Sequence, residues 1–161
     1  IIYKVAQINH FVFDTYRLLF CPSDSGLVPV TVSILRTVPP NFNLMMTWVT
    51  WPDAQNYCRV MYTDLATILS DTDWLRFEKE ATSKRLTTSA WVGLYNDVNS
   101  WRWSLNDLPL TSVTYTNWST GQPDNGDGKE ACVLIGYLNS WWDAPCTILR
   151  PFICYNGESI S

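Results

Sequence analysis

Histidine is nearly absent from this chain: His10 is the single one in 161 residues. That leaves little room for imidazole-based zinc coordination or acid–base relays. No two cysteines stand in a CxxC spacing, so no zinc or thioredoxin-type pattern arises. No apolar run reaches the roughly 18 residues that a membrane-spanning helix needs. Basic residues are few, 11 Lys and Arg against 15 Asp and Glu, for a formal net charge of −4. This argues against nucleic acid as a partner, because no basic stripe is there to neutralise phosphates. No phosphate-cradling glycine loop, nucleophile–base pair or two-carboxylate catalytic arrangement stands out. No enzyme activity is expected.

What the chain does have is apolar and aromatic material. It is 47% hydrophobic and 16% charged, with nine Trp, eight Tyr and six Phe. That is enough for a core and far from a disordered composition. Length alone favours one domain. Aromatic side chains bury much apolar area, and a buried Trp also needs a partner for its N–H. Five cysteines, Cys21, Cys58, Cys132, Cys146 and Cys154, are widely spaced. They read as disulfides in an oxidising, extracellular compartment, with buried free thiols as the alternative. An odd count leaves one over, and Cys21 is the expected orphan because it lies outside the patterned region. The chain begins with Ile rather than Met, so the expectation is a fragment or a mature product whose signal peptide is not visible.

The expected division is an N-terminal extension over 1–41, a domain over 42–156 and a tail over 157–161. In the extension, Val30, Val32 and Ile34 alternate with Thr31 and Ser33, a short strand signal. Pro22, Pro29, Pro39 and Pro40 punctuate it. Order begins at Phe42 to Trp48, a strand. Thr50 can cap a helix with Asp53 reaching back and Pro52 in the first turn. Ala54, Tyr57, Cys58 and Met61 then form its apolar stripe. Leu65 to Ile68 reads as a short strand. Ser70 and Asp73 repeat the capping signature before a second helix, Asp71 to Lys84, with Leu75, Phe77 and Ala81 as its apolar contributors. Trp91 to Leu94 and Ser100 to Ser104 flank a turn at Asn96 to Asn99. Cys132 to Ile135, Trp141-Trp142 and Phe152 to Tyr155 are three further short strands.

Between Leu105 and Lys129 only Tyr115 to Trp118 reads as structured. An irregular stretch of about 25 residues inside a compact domain is usually functional or disordered, and its specific mixture of Pro, Gly, Asp and Asn favours function. Within GQPDNGDGKEACVLIGYLNSWWDAPC, from Gly121 to Cys146, stand four oxygen donors: Gln122, Asp124, Glu130 and Asp143. Hard cations such as Ca²⁺ take six to eight oxygens of this kind. Gln, Pro, Asp, Asn and Gly are also the ordinary residues of a surface turn.

An ordered set of motifs over residues 42 to 155, about two-thirds of the chain, resembles a C-type lectin-like domain. The set runs through TWPDAQNYC, WVGL at Trp91 to Leu94, Trp101 and Trp103 of WRW, and Asn117-Trp118. It continues with GQPDN at Gly121 to Asn125, EAC at Glu130 to Cys132, WWDAPC at Trp141 to Cys146 and FIC at Phe152 to Cys154. Its phrasing is most similar to the domains of mannose-receptor-type proteins. The resemblance implies an α+β fold of two helices and two small antiparallel sheets with a long ligand loop. It also implies disulfides Cys58–Cys154 and Cys132–Cys146, and core roles for Trp91, Trp101, Trp103, Trp118 and Trp141.

In sugar-binding members a Ca²⁺ is held by the outer residues of a QPD or EPN triplet, a downstream Glu, and the Asn and Asp of a WND triplet. Two sugar hydroxyls complete the shell. By position Gln122, Asp124, Glu130 and Asp143 are the metal ligands, with a cis peptide before Pro123, and the same residues with Trp142 form the carbohydrate site. QPD rather than EPN implies galactose-type ligands. The departure is Trp142, which stands where the family has Asn and offers an N–H donor but no ligating oxygen. Calcium binding is therefore expected to be weakened but not lost. Asn125 and Ala131 stand where auxiliary calcium sites carry acidic residues.

The implied function is a calcium-dependent lectin acting on glycans or glycoproteins, in a secreted protein or a receptor ectodomain. Multivalent assembly would multiply its affinity. The alternative is a calcium-independent protein-interaction module on the same fold, with ice or mineral surfaces a third. Asn117-Trp118-Ser119 matches the N-glycosylation pattern, with low occupancy expected because its Trp reads as buried.

Overall fold

The computed structural model describes residues 11–12, 17–23, 26–32, 36–37, 41–97, 100–136 and 140–157. The chain falls into two compact units, Ile1–Pro39 and Pro40–Ser161. In the first, strands β1 (Phe11–Val12), β2 (Arg17–Ser23), β3 (Gly26–Val32) and β4 (Arg36–Thr37) form two antiparallel pairs, β1 with β4 and β2 with β3. The expected Val30–Ile34 strand is met as far as Val32. Ser33 and Ile34, His10, Pro39 and Pro40, the Val98-Asn99 half of the expected turn, tail residues 158–161 and the side chain of Cys21 lie outside the described residues.

The second unit carries β5 (Asn41–Val49), α1 (Trp51–Met61), β6 (Asp64–Leu65), α2 (Asp71–Ser83), β7 (Ala90–Asp97) and β8 (Ser100–Trp103). After β9 (Leu108–Pro109) come β10 (Glu130–Ile135), β11 (Trp141–Pro145) and β12 (Arg150–Asn156). Both helices start where local chemistry directs. Thr50 and Ser70 accept the backbone N–H of Asp53 and Asp73, and Pro52 occupies the first turn of α1.

Strands pair in the order β11-β10-β7-β12-β5, with β6 on β12, β8 on β7 and β9 on β8. Two antiparallel sets are joined by one parallel pairing, Phe152 opposite Trp91, into a single eight-stranded mixed sheet. Alternation along the strands sorts side chains to two core clusters. Val92, Leu94, Val133, Ile135, Trp141 and Ile153 pack on one, with Phe77 of α2. Trp91, Cys132, Leu134, Ala144, Phe152 and Cys154 pack on the other, with Trp51, Ala54 and Cys58 of α1. Disulfides join Cys58 to Cys154, 96 residues apart, and Cys132 to Cys146, 14 apart. The first ties α1 to the central strand β12. The second closes the β10–β11 hairpin onto the turn that follows it.

Trp91, Trp103 and Trp141 are fully buried, while Trp101 and Trp118 are partly buried against the first cluster. The Trp51 and Trp91 indoles donate to the carbonyls of Val92 and Val49 at 2.8 and 3.1 Å. Trp103 and Trp141 have no indole hydrogen-bond acceptor among the described residues. Their rings meet edge to face at 5.6 Å.

Three expectations need correction. Tyr57 and Met61 are exposed, so the buried stripe of α1 is Trp51, Ala54 and Cys58. The sheet covers only that narrow face, and Tyr57 reaches it just by its ring edge on Phe152, 5.3 Å between centroids. Leu75 is exposed too, with Phe77 buried and Trp74 packed beside it at 5.1 Å. The strand expected at Leu65 to Ile68 shortens to Asp64–Leu65. Ala66, Thr67 and Ile68 are buried nonetheless, and Ala66 spends its backbone on the Ile153 carbonyl and the Gly93 N–H.

Candidate functional site

From Leu105 to Lys129 the backbone forms only short 3₁₀ turns at 105–107, 110–112 and 126–128 and the two-residue β9; the structured segment expected at Tyr115 to Trp118 reduces to one bridge at Trp118. The loop is held at its base by Tyr115 and Trp118 packing on Trp141 of β11. Trp118 bridges to Trp141, and the ring centroids of Trp118 and Tyr115 lie 5.7 and 5.9 Å from that of Trp141. Ser119 N–H donates to the Trp141 carbonyl at 2.9 Å. The chain then turns through Gly121, at a φ of +86° that favours glycine, and through a cis Gln122–Pro123 peptide.

Beyond that turn the carboxylates converge. Oxygens of Asp124, Glu130 and Asp143 lie within 4.8 Å of one another. Asp143, on β11, is 5% exposed. Its Oδ1 accepts the backbone N–H of Asp124 at 3.2 Å and its Oδ2 that of Asn125 at 2.8 Å. Asn125 adopts a left-handed φ of +48°, a region Asn tolerates better than most residues. That conformation aligns two successive amides on one carboxylate. Glu130, at the start of β10, accepts the Gly126 N–H at 2.7 Å through Oε2, and its own N–H donates to Asn125 Oδ1 at 3.2 Å. Each oxygen keeps a lone pair for another partner.

The electrostatics ask for a cation. Desolvation pushes the Glu130 carboxyl above its ordinary range, and the charges of Asp143 and Asp124 push it the same way, against the Gly126 N–H. Among the described residues no Lys or Arg pairs with these three acids. Gln122 stands two residues before Asp124. Its Oε1 is buried without a hydrogen-bond donor among the described residues, a costly condition for an amide carbonyl. Three carboxylates and an orphan amide oxygen fit an oxygen-loving divalent ion.

Trp142 stands on β11 opposite Leu134. Its indole is 41% exposed, donates to Ser140 Oγ at 3.1 Å and lies against Gly136, where an added Cβ would sit 3.3 Å from the ring. The structure thus brings Asp124, Glu130 and Asp143 into one cluster and leaves the Trp142 ring bonded toward the hairpin end. Sequence reasoning overlooked the backbone amides of Asp124, Asn125 and Gly126, which orient two of the acids. It also missed Leu134, Ala144 and Ile148, which with Trp142 line a cleft beside the cluster. Ile148 and Leu149, apolar residues in a turn just after Cys146, were the available signal.

A family model for the lectin C-type domain matches residues 47–156. A C-type lectin of Cerberus rynchops is 35% identical over 118 residues, covering 65% of this chain and 69% of that protein. A protein of Pseudechis australis named as a galactose-binding C-type lectin isoform is 36% identical over 113 residues, with the same coverage. Among solved structures, the carbohydrate-recognition domain of the mouse scavenger receptor C-type lectin superposes with a TM-score of 0.65 at 27% identity, covering 76% of this chain and 94% of that one.

Proposed function

The chain belongs to the lectin C-type domain family, and from that premise we propose that residues 42–156 are a calcium-dependent carbohydrate-binding domain of galactose type. Its partners are glycans or glycoproteins outside the cell, where its two disulfides are stable. Its role is binding and not catalysis. The observation that carries this reading is the convergence of Asp124, Glu130 and Asp143 within 4.8 Å, together with the unpartnered Gln122 Oε1.

A bound Ca²⁺ would supply the neutralising charge and coordination positions for sugar hydroxyls. The chain's own part is to hold the donors ready. Asp143 is buried and fixed by two amides, and Glu130 is aimed by Gly126. Little reorganisation is then required on binding. The order of amide then acid, Gln122 then Asp124, sets which hydrogen-bonding partner each sugar hydroxyl meets. The galactose-binding name of the Pseudechis australis relative agrees with that preference. Trp142 adds no oxygen, so Gln122, Asp124, Glu130 and Asp143 would hold the metal with water, more weakly than a five-residue set would. The test is retention on immobilised galactose in Ca²⁺ with release by chelator. Retention that ignores chelator, or no retention, contradicts it.

One observation favours a second reading. The exposed Trp142 indole is the kind of aromatic anchor that protein interfaces use. A calcium-independent protein-interaction module would show no rise in melting temperature with Ca²⁺.

A further inference from the structure

A cleft of about 650 Å³ opens beside the carboxylate cluster, and Glu130 and Asp143 are part of its wall. The remaining wall is mainly apolar, built by Leu134, Trp142, Ala144 and Ile148. Leu134 and Ala144 belong to the core cluster on the α1 side of the sheet, and Ile148 packs against it. The floor of the cleft is therefore the edge of that core, where Leu134 and Ala144 are themselves largely buried. Trp142 stands along it with its ring pinned by Ser140 and Gly136. Arg150 and Ser89 also line the cleft, with Arg150 bonded to Ser89 Oγ at 3.1 Å and to the Leu149 carbonyl at 2.8 Å. A sugar ring needs hydroxyl partners, and this wall offers few. It suits an uncharged hydrocarbon chain.

Continuity says where such a chain comes from. Glu130 and Asp143 belong both to the proposed sugar-binding cluster and to the cleft, so the two are contiguous. We propose that the cleft takes the alkyl aglycone of a galactoside, as in a glycolipid, while the sugar sits at the carboxylates. This rests on the carbohydrate reading above and names the ligand class it implies.

The test is calorimetric titration of the full chain in Ca²⁺ with methyl, butyl and octyl β-galactosides below their micelle concentrations, repeated with chelator. Each methylene withdrawn from water is worth about fourfold in affinity. The octyl glycoside is thus expected to bind at least about tenfold tighter than the methyl one, with affinity rising along the series. Ile148→Gln should remove that gain and leave methyl galactoside unchanged. The length series on the unmodified chain decides the matter even if that variant misfolds. Equal, chelator-sensitive affinities for all three overturn the cleft proposal and leave the carbohydrate reading standing. Octyl binding that ignores chelator, with methyl silent, overturns both, as does binding of neither.

Discussion

Asn125 donates its backbone N–H to Asp143 Oδ2 at 2.8 Å across 18 residues of chain, with Asp124 bound to the other oxygen. The irregular loop is thus fastened to β11 by one of the acids that gather the proposed metal site. Folding of the loop and readiness of the site are the same event.

Replacing Asp143 separates the two roles. Asp143→Ala removes two hydrogen bonds to a buried charge. In chelator it should lower the unfolding free energy by about 2–3 kcal/mol, measured by urea denaturation. The same variant should give no calorimetric response to Ca²⁺.

Trp142→Asn restores an amide oxygen where the family places one. Calcium affinity should rise about tenfold or more with the added ligand, measured by calorimetry. An unchanged affinity would show that the indole is not the defect.

The Cys132–Cys146 bond closes the β10–β11 hairpin that carries Glu130 and Asp143. Replacing both cysteines by Ser should cost about 3 kcal/mol on the loop-entropy argument, read by denaturation. Calcium affinity should fall too, because the two strands lose their fixed spacing.

Glu130 gives a pH signature. Its carboxyl is raised above the ordinary 4.5, first by desolvation and then by Asp143 and Asp124. A raised acid contributes stability that is fully present below its unfolded pKa and lost as pH rises through the folded one. In chelator, this group therefore makes the protein less stable as pH rises through that range. Calcium affinity runs the other way, since ligation takes the ionised form and weakens as pH falls through the raised pKa. Melting curves and calcium titrations between about pH 4 and 7 check both slopes. Glu130→Gln should remove its share of each.

What was legible in the sequence was local or ordered along the chain. The Thr50–Asp53 and Ser70–Asp73 caps depend on residues three apart, and both form as written. The period-two strands sort Trp91 from Val92 and Phe152 from Ile153 as alternation requires. The exposure of Tyr57, Met61 and Leu75 was not legible, because the width of a buried helical stripe depends on what covers it. Nor was the cleft. It arises where the turn carrying Ile148 comes beside Leu134 and Ala144, a meeting that no local pattern encodes. In the candidate site the acids could be listed from the sequence. The amides of Asp124, Asn125 and Gly126 that aim them could not.

Whether Asp124, Glu130 and Asp143 hold Ca²⁺ for a galactoside is decided by calorimetric titration of the full chain with Ca²⁺ in the presence of methyl β-galactoside. A saturable heat, a higher melting temperature, and the loss of both in Asp124→Asn are expected. No heat and an unchanged melting temperature, with or without the galactoside, would contradict that role.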